Sequence, residues 1–133
     1  MPERTPAELI EAYKGVRARV RAAVEAAAPD AMSATCPATP EWRVHDLLAH
    51  LVGVANDVRE GRIDGVATNP WTQAQVDARL TMSEAEMLDT WDADSVAIEP
   101  LFEAVGFGTF GQMVFDAVTH EYDWSISKML HVR

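Results

Sequence analysis

Val44–Gly61, VHDLLAHLVGVANDVREG, is the stretch from which the fold of this chain is read. Val44, Leu47, Leu51, Val54 and Val58 recur at spacings of three and four, the pattern that lines one face of a helix. The spacing predicts a helix over Val44–Glu60, and Gly61 suits its C-terminal cap because glycine enters the left-handed conformation without a Cβ penalty. His50 sits at the margin of that stripe, beside Leu47, Leu51 and Val54, so its imidazole is expected to point at least partly into the protein.

Outward from this helix the same periodicity recurs. Thr5-Pro6 opens an Ala-, Glu- and Arg-rich run to Ala28 whose Leu9, Tyr13, Val16, Val20 and Val24 form one stripe, with proline suited to a first helical position. Pro29 to Arg43 carries three prolines and reads as an ordered, irregular connector ending near Trp42. After a polar turn region over Gly61 to Pro70, helical patterns cover Thr72 to Leu80 and Ser83 to about Val105. Ser83 and Glu86 have the spacing of a capping box, and Pro100 is a point where the helix is expected to kink or reset. Gly106 to Gly111 breaks the pattern, and Phe110 to about Leu130 resumes it as a last helix. No strand-like alternation competes, so the expected class is all-α, a four-helix bundle with antiparallel neighbours.

A chain of 133 residues fits one domain, 1–133, and 48% hydrophobic residues with four Trp, four Phe and two Tyr supply a core. The formal net charge of −10 repels phosphate backbones and anionic lipid, so neither nucleic acid nor a membrane is an expected partner. The N-terminus lacks the apolar run of a secretory signal, and no segment resembles a membrane span. The single Cys36 excludes an intrachain disulfide framework, which favours a reducing, cytoplasmic location; Cys36 itself reads as a loop thiol beside Pro37.

Two patterns invite a chemical reading. Gly106-Phe107-Gly108-Thr109-Phe110-Gly111 has the letters of G-x-G-x-x-G, but no strand precedes it and no βαβ unit follows, so glycines at a helix–helix connection are the better reading. Asp116 and His120, four apart, lie about 40° from one another around a helix and can share one ion. With an inward His50 they make two imidazoles and a carboxylate, a donor set suited to Zn²⁺, Ni²⁺, Fe²⁺ or Mn²⁺ with one position left open. Spacing alone also allows a plainer arrangement, with Asp116 paired to Arg17 or Arg21 and His50 an ordinary hydrogen-bonded core histidine.

The stretch Thr39-Pro40-Glu41-Trp42-Arg43-Val44-His45-Asp46-Leu47-Leu48-Ala49-His50-Leu51 resembles the T-P-x-W-x-V-x-D-L-x-x-H-L signature of the mycothiol-dependent maleylpyruvate isomerase family, a metal-binding branch of the DinB-like superfamily. Asp116 to Asp123 is similar to that family's final-helix segment. Trp71-Thr72-Gln73, Gln75-Val76, Arg79 and Trp91 are similar to its middle region. The resemblance implies a DinB-like up-and-down bundle with a crossing connection, and a divalent metal, Zn²⁺ first and Ni²⁺, Fe²⁺ or Mn²⁺ otherwise, on His50, Asp116 and His120. Asp116 stands where the isomerase has Glu, and the isomerase has a C-terminal domain that helps build its active site. What carries over is therefore thiol-dependent chemistry of the transferase or isomerase type, using mycothiol or a similar low-molecular-weight thiol on an electrophilic small molecule.

Glu121 or Asp123 would orient the ligands, and Trp42, Trp124 and Met113 would line a substrate pocket beside them. His45, His131 and Asp46 are further potential ligands that read as exposed, with Asp46 complementing the dipole of its helix. A non-catalytic metal- or small-molecule-binding bundle, acting as a homodimer or with a partner protein, is the alternative in another class.

Overall fold

The computed structural model describes residues 5–28, 30–36, 39–66 and 68–105. The element order is α1 (Pro6–Ala26), a 3-10 turn (Ala31–Ser33), β1 (Thr35–Cys36), β2 (Thr39–Arg43), α2 (Val44–Glu60), α3 (Asn69–Asp77) and α4 (Glu84–Val105). The expected last helix over Phe110 to Leu130 and the glycine segment 106–111 lie outside the described residues.

Local chemistry explains most helix boundaries. At the start of α1 the Thr5 hydroxyl accepts from the Glu8 N–H at 3.2 Å while the Glu8 carboxylate accepts from the Thr5 N–H at 3.0 Å, so two orphan donors are satisfied reciprocally. Asp46, in the first turn of α2, takes the Arg43 N–H at 2.9 Å and two contacts from the Arg43 guanidinium. Burial by itself would raise the Asp46 carboxyl, but the hydrogen bonds and charge of Arg43 outweigh it and hold the group below its ordinary value. Gly61 closes α2 at φ 75°, the left-handed cap its residue type predicted. α3 begins at Asn69, three residues before the expected Thr72, because Thr68 supplies a cap and Pro70 suits the first turn. Ser83 caps α4 through the Glu86 N–H at 3.1 Å, and α4 runs through Pro100.

The connector differs from expectation in one respect. It contains an antiparallel ribbon, with Thr35 opposite Arg43 and Cys36 opposite Thr39. β1 is too short for an alternating pattern to register and β2, Thr39-Pro40-Glu41-Trp42-Arg43, has none, while Pro40 fits an edge position where no ladder donor is needed. Cys36 is consequently fully buried in the core rather than lying in an open loop.

Both α1 and α2 dock on α4, and α2 also packs on α3 and the ribbon. α1 and α2, adjacent in sequence, thus share α4 as their main partner, as a crossing connection requires. Cover from α3, α4 and the ribbon explains why α2 buries far more than one stripe, including Leu47, Leu48, Ala49, Leu51 and Val52. Trp91 of α4 lies fully buried at the centre, its indole N–H donating to the Tyr13 hydroxyl at 2.8 Å and its ring edge-on to Tyr13. Arg17 and Arg21 of α1 bond Asp92 of α4, at 3.0 and 2.9 Å, with Asp89 a second partner of Arg21. The all-α reading holds, and no described helix is long and apolar enough to cross a membrane.

Candidate functional site

The middle of α2 supplies His50, which is only 5% exposed. Three elements hold its ring. The backbone of α2 fixes its Cβ, the Trp42 indole of β2 lies against it with centroids 5.6 Å apart at 44°, and Gln75 of α3 bonds Nδ1 at 2.7 Å.

The donor in that bond follows from the next partner along. Gln75 places its amide nitrogen 2.9 Å from an Asp57 carboxylate oxygen, and a carboxylate can only accept. The amide oxygen therefore faces His50, and Nδ1 must be the donor. In the neutral ring the electron pair then belongs to Nε2. This is the arrangement found around metal-bound imidazoles, whose second nitrogen donates to an oxygen that fixes the tautomer and orientation. The donor chemistry of His50 thus fits a divalent transition metal.

Asp57 is itself anchored. Its other oxygen accepts from Arg62 Nε at 2.9 Å, and Arg62 also bonds Asn56. Gln75 is 2% exposed, Asp57 8% and Arg79 7%, so the interface of α2 with α3 is a buried polar seam rather than an apolar one. Arg79 donates to the Gln75 carbonyl at 3.0 Å, and burial holds its guanidinium below its usual value while Asp57 and Asp94 act against that shift. Gly53 makes the close approach feasible: a Cβ there would lie 2.5 Å from the Gln75 Cβ and 2.6 Å from its Cγ.

Beside Trp42 a cleft of about 610 Å³ opens, lined by Glu41, Trp42, Asn69, Pro70, Thr72 and Gln73. The indole N–H donates to Gln73 at 3.3 Å and Gln73 in turn donates to Asp77 at 2.9 Å, so the Trp42 ring is pinned between His50 and the cleft.

Of the expected ligands, His50 is inward as its position in the stripe indicates, whereas Asp116 and His120 lie outside the described residues. So do Glu121, Asp123, Met113, Trp124 and His131. Among the described residues, no three His, Cys, Asp or Glu side chains converge as a metal cluster. His45 and Asp46 are not exposed as expected. His45 is 8% exposed, its Nε2 donating to the carbonyl of Met82 in the segment before α4 at 2.9 Å, and Asp46 is 6% exposed under Arg43. Arg17 and Arg21 both bond Asp92, and Arg21 also bonds Asp89; Asp116, the other carboxylate considered for them, lies outside the described residues.

Sequence reasoning missed the role of Asp57 and Gln75. The available signal was Gly53 inside a good helix, which marks a close backbone approach, but it does not name the element that approaches.

No curated protein and no solved structure matches the chain. A family comparison does match, over residues 13–123, which takes in the ribbon, α2 with His50, α3 with Gln75, and Asp116 and His120. The chain belongs to the mycothiol maleylpyruvate isomerase N-terminal domain family.

Proposed function

We propose that this chain is a metal-dependent enzyme of the thiol-transferase or isomerase type, with His50, Asp116 and His120 holding one divalent transition metal. Its co-substrate is a low-molecular-weight thiol such as mycothiol, and its substrate is an electrophilic small molecule. The observation that supports this reading is the setting of His50: a buried imidazole held on two sides, with Nδ1 committed as donor. An ordinary core histidine needs only satisfied nitrogens, whereas this one is oriented by Gln75 of a second helix, which Asp57 of α2 in turn holds in place.

Bound there, the metal supplies Lewis acidity that favours the thiolate over the thiol near neutral pH. The chain contributes orientation and exclusion of water. Trp42 covers one face of His50, Gln75 fixes the ring's rotation, and the cleft beyond Trp42 offers an indole face with the Glu41, Asn69 and Thr72 polar groups to a small molecule. Sulfur forms its bond to carbon as a leaving group departs, which is transfer, or adds to a conjugated carbon and is expelled after rotation, which is isomerisation.

The test is thiol consumption. Protein loaded separately with Zn²⁺, Ni²⁺, Fe²⁺ and Mn²⁺ is incubated with mycothiol and a panel of alkyl halides and conjugated diacids, alongside a His50→Ala, Asp116→Ala, His120→Ala variant. Metal-dependent turnover lost in the variant supports the reading. Tight metal binding with no turnover on any pair supports the non-catalytic binding bundle instead.

A further inference from the structure

We propose that Gln75, held in one orientation by Asp57, is the positioning residue that sets His50 as its Nδ1–H tautomer and so puts the electron pair of the neutral ring on Nε2, the atom that would ligate the metal. The proposal rests on the reading of His50 as a ligand, but the tautomer it predicts belongs to the metal-free protein.

The geometry gives the relay a direction. Asp57 has no proton to give as a carboxylate, so the Gln75 amide nitrogen must face it at 2.9 Å. That leaves the amide oxygen 2.7 Å from Nδ1, which cannot be approached by an unprotonated nitrogen without two electron pairs opposing one another. Arg62 holds the far oxygen of Asp57 at 2.9 Å and keeps the carboxylate from turning. Each link is 8% exposed or less from Asp57 inward, so water does not compete freely for these bonds.

The position of each residue has one purpose in this scheme. Gln75 is the longer amide and reaches from α3 across the space that Gly53 leaves on α2; any side chain at 53 would occupy the volume of its Cβ and Cγ. A neutral amide between imidazole and carboxylate also separates the Asp57 charge from the ring. The charge then fixes direction without pairing directly with an imidazolium. Metal-bound histidines elsewhere often meet a carboxylate or a carbonyl directly; here an amide carries the carboxylate's preference one step further.

His45 provides an internal contrast. Its Nε2 lies 2.9 Å from the Met82 carbonyl, which only accepts, so His45 is the opposite tautomer, Nε2–H. One protein therefore holds two buried histidines of opposite assignment on the same helix.

The experiment is long-range proton–nitrogen correlation on uniformly ¹⁵N-labelled, metal-free protein at a pH where the imidazoles are neutral, with His45→Gln and His50→Gln for assignment. The expected result is His50 as Nδ1–H and His45 as Nε2–H. Asp57→Asn keeps the shape but lets either end of the Gln75 amide face position 57, so His50 should become a mixture while His45 stays unchanged. Gln75→Leu should do the same and weaken Zn²⁺ about 10–100-fold, measured by competition with a chromophoric chelator. An Nε2–H tautomer at His50 in the wild-type protein overturns the proposal, as does a His50 tautomer unmoved in folded Asp57→Asn. Failure of the wild-type protein to bind Zn²⁺, with the tautomers as stated, removes the metal reading and leaves the relay standing.

Discussion

Replacing Gly53 by Ala tests the α2–α3 seam through the sign of its effect. In an isolated helix the change is favourable by about 0.8–1.0 kcal/mol, since alanine loses less backbone freedom than glycine. Here the new Cβ would lie 2.5 Å from the Gln75 Cβ, 2.6 Å from its Cγ and 3.0 Å from a terminal Arg79 nitrogen. Optimal carbon–carbon separation is about 3.5–4.0 Å, so the two helices must part by roughly 1 Å or Gln75 must leave its place. Overpacking of this kind costs about 1–3 kcal/mol. Displacing Gln75 also loosens its bonds to His50 and Asp57, the second a hydrogen bond to a charged group worth about 1.5–3 kcal/mol. The propensity gain is the smaller quantity, and a net loss of about 1–3 kcal/mol is expected. Urea unfolding followed by circular dichroism reads it as a lower midpoint at unchanged slope. A variant more stable than the parent by about 1 kcal/mol, the pure propensity value, would refute the close approach of α2 and α3.

Three other outcomes follow from the fold. Tyr13→Phe leaves the buried Trp91 indole N–H without its acceptor and should lower stability by about 1–3 kcal/mol in the same unfolding assay; an unchanged midpoint would contradict the Trp91–Tyr13 bond. Asp46→Asn should cost about 1–2 kcal/mol near neutral pH through the lost cap and Arg43 bonds. Because the folded Asp46 carboxyl lies below its ordinary value, its contribution is present above about pH 4 and is lost as pH falls through the folded value; wild type and variant stabilities should therefore converge only in acid. Cys36, fully buried, should react with a thiol reagent at the rate of unfolding rather than at that of a surface cysteine; rapid labelling of the native protein would contradict its place in the core.

Much of this arrangement is legible in the sequence because it is local or periodic. The stripe Val44, Leu47, Leu51, Val54, Val58 with Gly61 behind it gives α2 its bounds, and Thr5-Pro6 and Ser83 mark the starts of α1 and α4. His50 is legible as inward for the same reason. What periodicity cannot give is which helix meets which. The Asp57–Gln75–His50 chain depends on α3 lying over α2 at Gly53, a tertiary fact, and neither a Gln nor an Asp on a helix signals burial by its type. His45 is misread by the same limit: it stands in the first turn of a helix, where exposure is usual, and is buried where the Met82 segment meets its ring. The β1–β2 ribbon escapes because β1 is two residues long and β2, Thr39-Pro40-Glu41-Trp42-Arg43, has no alternation of apolar and polar residues.

The account stands or falls on whether His50 is a metal ligand, and metal content tests that most directly. Protein purified without chelator and reconstituted in turn with Zn²⁺, Ni²⁺, Fe²⁺ and Mn²⁺ is analysed for elements beside the His50→Ala, Asp116→Ala, His120→Ala variant. The account predicts about one metal per chain in the parent and none retained by the folded variant after desalting. Equal metal in both, or none in the parent with any of the four ions, would contradict it.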